Sequence, residues 1–163
     1  MPHGLSLIHI LRQLGVIRAG EDGFRIALEP EYRSALAGLE DFRWVNVLWW
    51  FSGCGGPEDR ALRREVRPYA HGPEALGVFA TRSPRRPNPI ALSCAEVTWM
   101  DEAEGLVGLG YIDAEDGSPV LDLKPYTPSL DRVESPVLPG WCAHWPKSVE
   151  ASGDFDWSGE FNF

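Results

Sequence analysis

Apolar positions along this chain come in short runs divided by glycine, proline and acidic turns. Residues 14–18 and 24–28 are apolar and rich in β-branched side chains, and Gly20-Glu21-Asp22-Gly23 breaks them, which predicts two strands and a turn. Residues 30–42 predict the best helix: Pro30 suits a first turn, Tyr32, Ala35, Leu36 and Leu39 recur at helical spacing, and Gly38 weakens the last turn. Residues 44–51 are almost continuously apolar up to Ser52-Gly53-Cys54-Gly55-Gly56-Pro57, the pattern of a strand buried on both faces. A short arginine-rich helix over 58–65 stops at Arg67-Pro68. Strands are predicted over 76–80, 90–99, 106–112 and 120–123, with polar 101–105 as a hairpin turn. Residues 1–10 read as an untidy leader. Beyond Pro125 the chain is rich in proline and turn residues, and its acidic, aromatic tail, 150–163, is expected to pack loosely.

Strands therefore dominate, short and tightly connected. Alternating βαβ units are absent, and so is any G-x-G-x-x-G or G-K-[ST] sequence, which argues against a doubly wound nucleotide-binding sheet. The expectation is a mainly β fold: a single small β-barrel or strongly curved sheet with one flanking helix, in one domain over 1–163 with its core at roughly 12–142. A chain of 163 residues with 44% apolar content supports such a core. No apolar run approaches the roughly 20 residues of a spanning helix, and no secretory signal is legible, so a cytoplasmic enzyme is expected. Cys54, Cys94 and Cys142 are odd in number and widely spaced, which disfavours both a disulfide framework and a cysteine zinc site. Cys142 and His144 lie close together but read as buried or idle residues, and no metal is expected.

Charge complicates the choice of partner. The net charge of −9 gives no average attraction for nucleic acid, yet Arg60, Arg63, Arg64, Arg67, Arg82, Arg85 and Arg86 supply seven of the fifteen basic residues. That window is either a local basic surface on an acidic body or a solvated loop with scattered ion pairs.

Chemistry concentrates in two stretches. In residues 77–90, a buried strand runs into a loop that carries Arg82, Arg85, Arg86 and Asn88 among Pro84, Pro87 and Pro89. Prolines fix φ and leave the loop little entropy to lose on binding, while arginine and asparagine suit a polar, anionic ligand. The alternative is a rigid connection whose arginines bond carbonyls. In residues 110–126 a strand ends in a carboxylate-rich turn, and the next ends in Lys124-Pro125-Tyr126. Asp116-Gly117 is an ordinary turn pair; Asp122 and Lys124 share one face of a strand and want a partner or a ligand.

The string R-S-P-x-R-P-N-P-I-x-L-S, residues 82–93, resembles the signature of the TsaA-like (YaeB-type) family, and Asp116 onward, D-G-S-P-V-L-D-L-K-P-Y, resembles its second motif. Weaker likenesses at 14–18, 38–42, 66–68 and 77–81 follow in the family's order. The resemblance implies a single-barrel methyltransferase that uses S-adenosyl-L-methionine. Its implied reaction is methylation of N6 of threonylcarbamoyladenosine beside the anticodon of tRNA, by a homodimer. By position it implies cofactor contacts at Arg82, Leu92, Gly110, Tyr111, Ile112 and Asp113, and at the end of the aromatic strand, Phe51, Ser52 and Gly53. Arg82 would hold the cofactor's carboxylate, Asp113 its amine or ribose, and Tyr111 or Phe51 its cation or adenine. Asp113, Asp122 and Tyr126 are the candidate bases; Arg86, Asn88 and Lys124 are the candidate substrate contacts.

Departures from the family bear on substrate more than on cofactor. Residues 18–23 replace an early P-R-Q-like segment, Ser52-Gly53 stands where many members have His-Gln, Ala91 replaces a glycine, and Ala114-Glu115 alters the turn before Asp116. The C-terminal extension of some bacterial members has no counterpart here. With the acidic charge, these changes keep two alternatives open: a methyltransferase acting on a small molecule or a protein, and a non-catalytic S-adenosyl-L-methionine-binding module.

Overall fold

A computed structural model of the chain describes residues 10–163, so residues 1–9 of the leader lie outside the described residues. The chain forms two compact units. The first comprises the chain through Ser52 together with Ile90–Leu130; the second comprises Gly53–Pro89 and Asp131–Phe163.

The first unit is a closed antiparallel barrel. Its strands are β1 (Gly15–Gly20), β2 (Gly23–Leu28), β3 (Trp44–Trp50), β6 (Ile90–Asp101), β7 (Leu106–Leu109) and β8 (Pro119–Pro125), and β4 (Arg64–Val66) and β5 (Ala75–Gly77) belong to the other unit. Around the barrel the order is β1-β2-β7-β6-β3-β8, with β8 returning to β1. Alternate residues point inward, and Ile17, Ile26, Val45, Val47, Val107 and Val120 are fully buried. Each such side chain contributes about 1.5–3 kcal/mol by leaving water. Trp49 completes the layer and donates its indole N–H to Ser93 Oγ at 2.9 Å.

The seam between β1 and β8 explains the second motif. Asp116 Oδ1 accepts from Ala19 N–H at 3.0 Å, and Gly117 N–H donates to the Ile17 carbonyl at 2.8 Å. Gly117 has φ 84, a left-handed conformation that costs a side chain energy and glycine little. Ser118 Oγ donates to the Glu115 carbonyl at 2.7 Å. Asp116, Gly117 and Ser118 thus close the barrel before β8 begins.

Four expectations need correction. Residues 30–42 form 3₁₀ turns, Pro30–Leu36 and Leu39–Asp41, because Gly38 takes φ 87 between them and only Leu36 is buried. β3 is not buried on both faces: its residues alternate, with Val45, Val47 and Trp49 inside. Its continuous apolar look arises because the outward residues Trp44, Leu48 and Trp50 are also apolar and half-buried. The strand read at 76–80 ends early, since β5 stops at Gly77 and a 3₁₀ turn follows at Val78–Ala80.

The fourth correction concerns the tail, which packs firmly. The second unit pairs β4 with β5 beside the short helix α1 (Pro57–Ala61); α2 (Pro128–Asp131) and α3 (Val149–Ser152) lie in the later chain. Tyr69 stacks on Trp141 with ring centroids 4.9 Å apart, and Trp145, Phe155, Trp157 and Phe161 continue the aromatic cluster. Phe161 bridges to Tyr69 by main-chain pairing, and Glu160, only 8% exposed, is part of this interior.

Candidate functional site

The arginine loop of the second unit is held from within. Thr81 Oγ1 donates to the Val78 carbonyl at 2.8 Å, and fully buried Ser83 donates to Glu65 Oε1 at 2.8 Å. Arg86 reaches back along the loop: its Nη1 donates to the Thr81 and Ser83 carbonyls, each at 3.1 Å, and its Nη2 to the Val78 carbonyl at 3.2 Å. Arg82 N–H donates to the Tyr69 hydroxyl at 2.9 Å, which fixes where its side chain leaves the chain. Burial, partly offset by that N–H, raises the Tyr69 pKa above the usual tyrosine value.

The remaining basic residues divide. Arg85 pairs with Asp59 at 2.7 Å, and Arg60 donates to the Pro87 carbonyl and to Asn88 Oδ1, at 2.8 and 3.2 Å. Arg64, Arg67 and Arg82 expose their side chains to solvent. Both readings of the basic window therefore hold in part, as some arginines bond within the loop and others are solvent-exposed. A groove of about 560 Å³ in this unit is lined by Arg64, Glu65, Ser83, Arg85, Asn162 and Phe163, among others. Glu65 Oε2 is buried there without a hydrogen-bond partner.

In the barrel unit the candidates fall into two groups. Antiparallel alternation puts the C-terminal ends of β1, β3 and β7 and the N-terminal ends of β2, β6 and β8 at one end of the barrel. Phe51 and Ser52 follow β3 there, and Gly110, Tyr111, Ile112 and Asp113 follow β7. Tyr111 is 63% exposed, and its ring meets that of Phe24 edge to face with centroids 5.3 Å apart. Burial and the neighbouring Asp113 carboxylate raise the pKa of Tyr111. Phe51 instead packs into the core against Trp49, and Ile112 is buried, so Ile112 presents backbone rather than side chain.

The second group lies on the barrel's outer wall. Leu92 and Asp122 are each in register with Leu48 on β3, one on either side, about 10 Å apart at two strand spacings. Asp122 pairs with Lys124 at 2.8 Å, so the charged pair satisfies itself, and its hydrogen bond raises the Lys124 pKa. Tyr126 follows, its N–H donating to the Trp44 carbonyl at 2.9 Å.

Sequence reasoning missed Glu65, Tyr69, Thr81 and Ser83. Ser83 sits inside the recognised string 82–93 and Thr81 just before it, in the weaker likeness at 77–81; their burial is the signal that arginine content obscured. Tyr69 directly follows Arg67-Pro68, where a tyrosine after a proline stop gave no cue to its long-range partner.

The fold and the two stretches define a class: a small closed antiparallel barrel in one unit and a proline-fixed arginine loop in the other. The family model for the tRNA-methyltransferase O N-terminal domain matches residues 12–132, and the chain belongs to that family. It is 39% identical over 109 residues to an S-adenosyl-L-methionine-binding protein of Archaeoglobus fulgidus, covering 66% of this chain and 72% of that one. It is 33% identical over 144 residues to a tRNA (adenine(37)-N6)-methyltransferase of Escherichia coli, covering 86% of this chain and 58% of the relative. A crystal structure of TrmO from Pseudomonas aeruginosa superposes with TM-score 0.60 at 29% identity, covering 84% of this chain and 61% of that one. The chain spans less than two thirds of the solved TrmO chains it matches.

Proposed function

We propose that this protein is an S-adenosyl-L-methionine-dependent methyltransferase that methylates N6 of threonylcarbamoyladenosine in tRNA, beside the anticodon. The observation that carries the reading is the family match over residues 12–132, which spans both chemistry-bearing motifs. It works in the cytoplasm as a homodimer. Among the described residues no helix is long and apolar enough to cross a membrane, which agrees with a tRNA substrate.

The candidate residues of each unit, taken separately, offer groups that suit the cofactor. Arg82 offers a guanidinium fork, suited to a carboxylate, from a loop that needs no ordering on binding. Asp113 offers acceptors to an amine or ribose, and the exposed ring of Tyr111 suits a sulfonium or an adenine ring. When bound, S-adenosyl-L-methionine supplies an electrophilic methyl group on a cationic sulfur. The protein aligns the attacking nitrogen with that carbon, excludes water, and accepts the N6 proton. Asp122 is committed to Lys124 and serves as its counter-ion. Asp113 and Tyr126 remain as the bases, and pH profiles of single-turnover rates in the Asp113→Asn and Tyr126→Phe variants separate them. Lys124 and Asn88 contact substrate, while Arg86 sets the loop.

Tritiated methyl transfer to tRNA from cells lacking the gene tests the reading. Label in tRNA, with the methylated threonylcarbamoyladenosine nucleoside recovered after digestion, is the expected result. The net charge of −9 favours a second reading, a small-molecule or protein substrate. Tight cofactor binding with no label entering tRNA would replace the first reading with it.

A further inference from the structure

His71, His144 and Glu160 stand together in the second unit, drawn from three separate segments of chain. One ligand-capable atom of each lies within 4.8 Å of the others. His144 Nε2 is 2.8 Å from Glu160 Oε1, and His71 Nε2 is 4.0 Å from the same oxygen. The two imidazoles meet edge to face with centroids 5.4 Å apart. We propose that these three side chains form a binding site for a single Zn²⁺ ion, with water as the fourth ligand.

The donor set, two imidazoles and one carboxylate, matches the nitrogen and oxygen preference of zinc and disfavours Mg²⁺ and Ca²⁺, which want oxygen alone. Bonds of about 2.0 Å at a tetrahedral centre place ligand atoms roughly 3.3 Å apart. The distances of 2.8 and 4.0 Å lie on either side of that edge and the third edge is within 4.8 Å, so rotations of the exposed imidazoles by roughly 1–1.5 Å close the triangle.

Supporting bonds hold the carboxylate as a ligand must be held. Trp145 Nε1 donates to Glu160 Oε2 at 2.9 Å, leaving Oε1 turned toward both imidazoles. The Glu160 carbonyl accepts from Ala70 N–H at 3.0 Å, which ties the carboxylate's backbone to the residue before His71. Both histidines are exposed, so ion and water have access. Cys142 is no part of the site: its buried thiol donates to the Pro139 carbonyl at 3.4 Å. A bound ion would clamp the C-terminal segment onto the 68–72 loop without touching the arginine loop. The proposal stands whether or not the protein methylates tRNA.

Chelator-stripped protein is titrated with Zn²⁺ against a fluorescent competitor, and with Co²⁺ followed by visible absorption. The expected result is one ion per chain with micromolar or tighter affinity, intense four-coordinate Co²⁺ bands, and a melting temperature that rises with Zn²⁺. His71 is exposed, and its contacts are one long ion pair and the edge-to-face meeting with His144, so His71→Ala should fold; it should weaken binding at least tenfold and abolish the thermal shift. Glu160→Gln tests the third ligand in the same way. Sub-stoichiometric binding, or binding that His71→Ala leaves unchanged, would overturn the site.

Discussion

Replacing Arg86 separates a structural role from a substrate contact. Its guanidinium donates to three carbonyls of its own loop, at 3.1, 3.1 and 3.2 Å. A hydrogen bond to a charged group contributes about 1.5–3 kcal/mol when buried. Arg86 is only partly buried and water can replace some of the loss, so each bond falls below that range and Arg86→Ala should cost about 2–4 kcal/mol. Arg86→Lys should recover about 1 kcal/mol, because a point-like ammonium cannot span three carbonyls facing a planar fork. Urea unfolding followed by tryptophan fluorescence reads the change, since Trp141, Trp145 and Trp157 all belong to the same unit. Hydrogen exchange at residues 78–86 should accelerate in both variants. A substrate-contact role makes the opposite demand: unchanged stability, unchanged cofactor affinity and a raised KM for tRNA. Stability within about 0.5 kcal/mol of the parent would refute the loop-setting role.

Three further outcomes are expected. Tyr69→Phe removes the acceptor of the Arg82 N–H but keeps the stack on Trp141, and should cost about 1 kcal/mol and several-fold in cofactor affinity, read by thermal melts and titration. A Cβ on Gly15 would clash with the Ala27 carbonyl oxygen, so Gly15→Ala must shift backbone where β1 pairs with β2. It should destabilise the barrel by about 1–3 kcal/mol, measured by urea unfolding. Asp122→Asn should lower the Lys124 pKa toward its ordinary value, seen by NMR titration of the ammonium. Because that pKa is raised, the pair's stabilisation is full below the ordinary lysine value and fades as pH climbs through the raised one.

Local pattern made much of the barrel legible. The β1–β2 and β6–β7 hairpins announce themselves through turn residues between β-branched runs, and all six barrel strands were read within a few residues of their observed bounds. What escaped was long-range. The β1–β8 seam joins residues about a hundred positions apart, so Asp116, Gly117 and Ser118 looked like an ordinary turn although they close the barrel. The tail was read as loose because its aromatics are interleaved with acidic and glycine residues; their partner, Tyr69, lies far upstream. At the candidate site the motif strings pointed to Arg82 and Asp113, but not to which arginines the loop consumes. That division depends on where carbonyls point, which residue identity alone does not disclose.

The most direct test of cofactor use is calorimetric titration of the purified protein with S-adenosyl-L-methionine, alongside the Arg82→Ala and Asp113→Ala variants. One-site binding at micromolar affinity, weakened at least tenfold in each variant, is the expected result. Absence of binding by the parent protein would contradict cofactor use outright, and with it the methyltransferase assignment; a variant of unchanged affinity would remove that residue from the site.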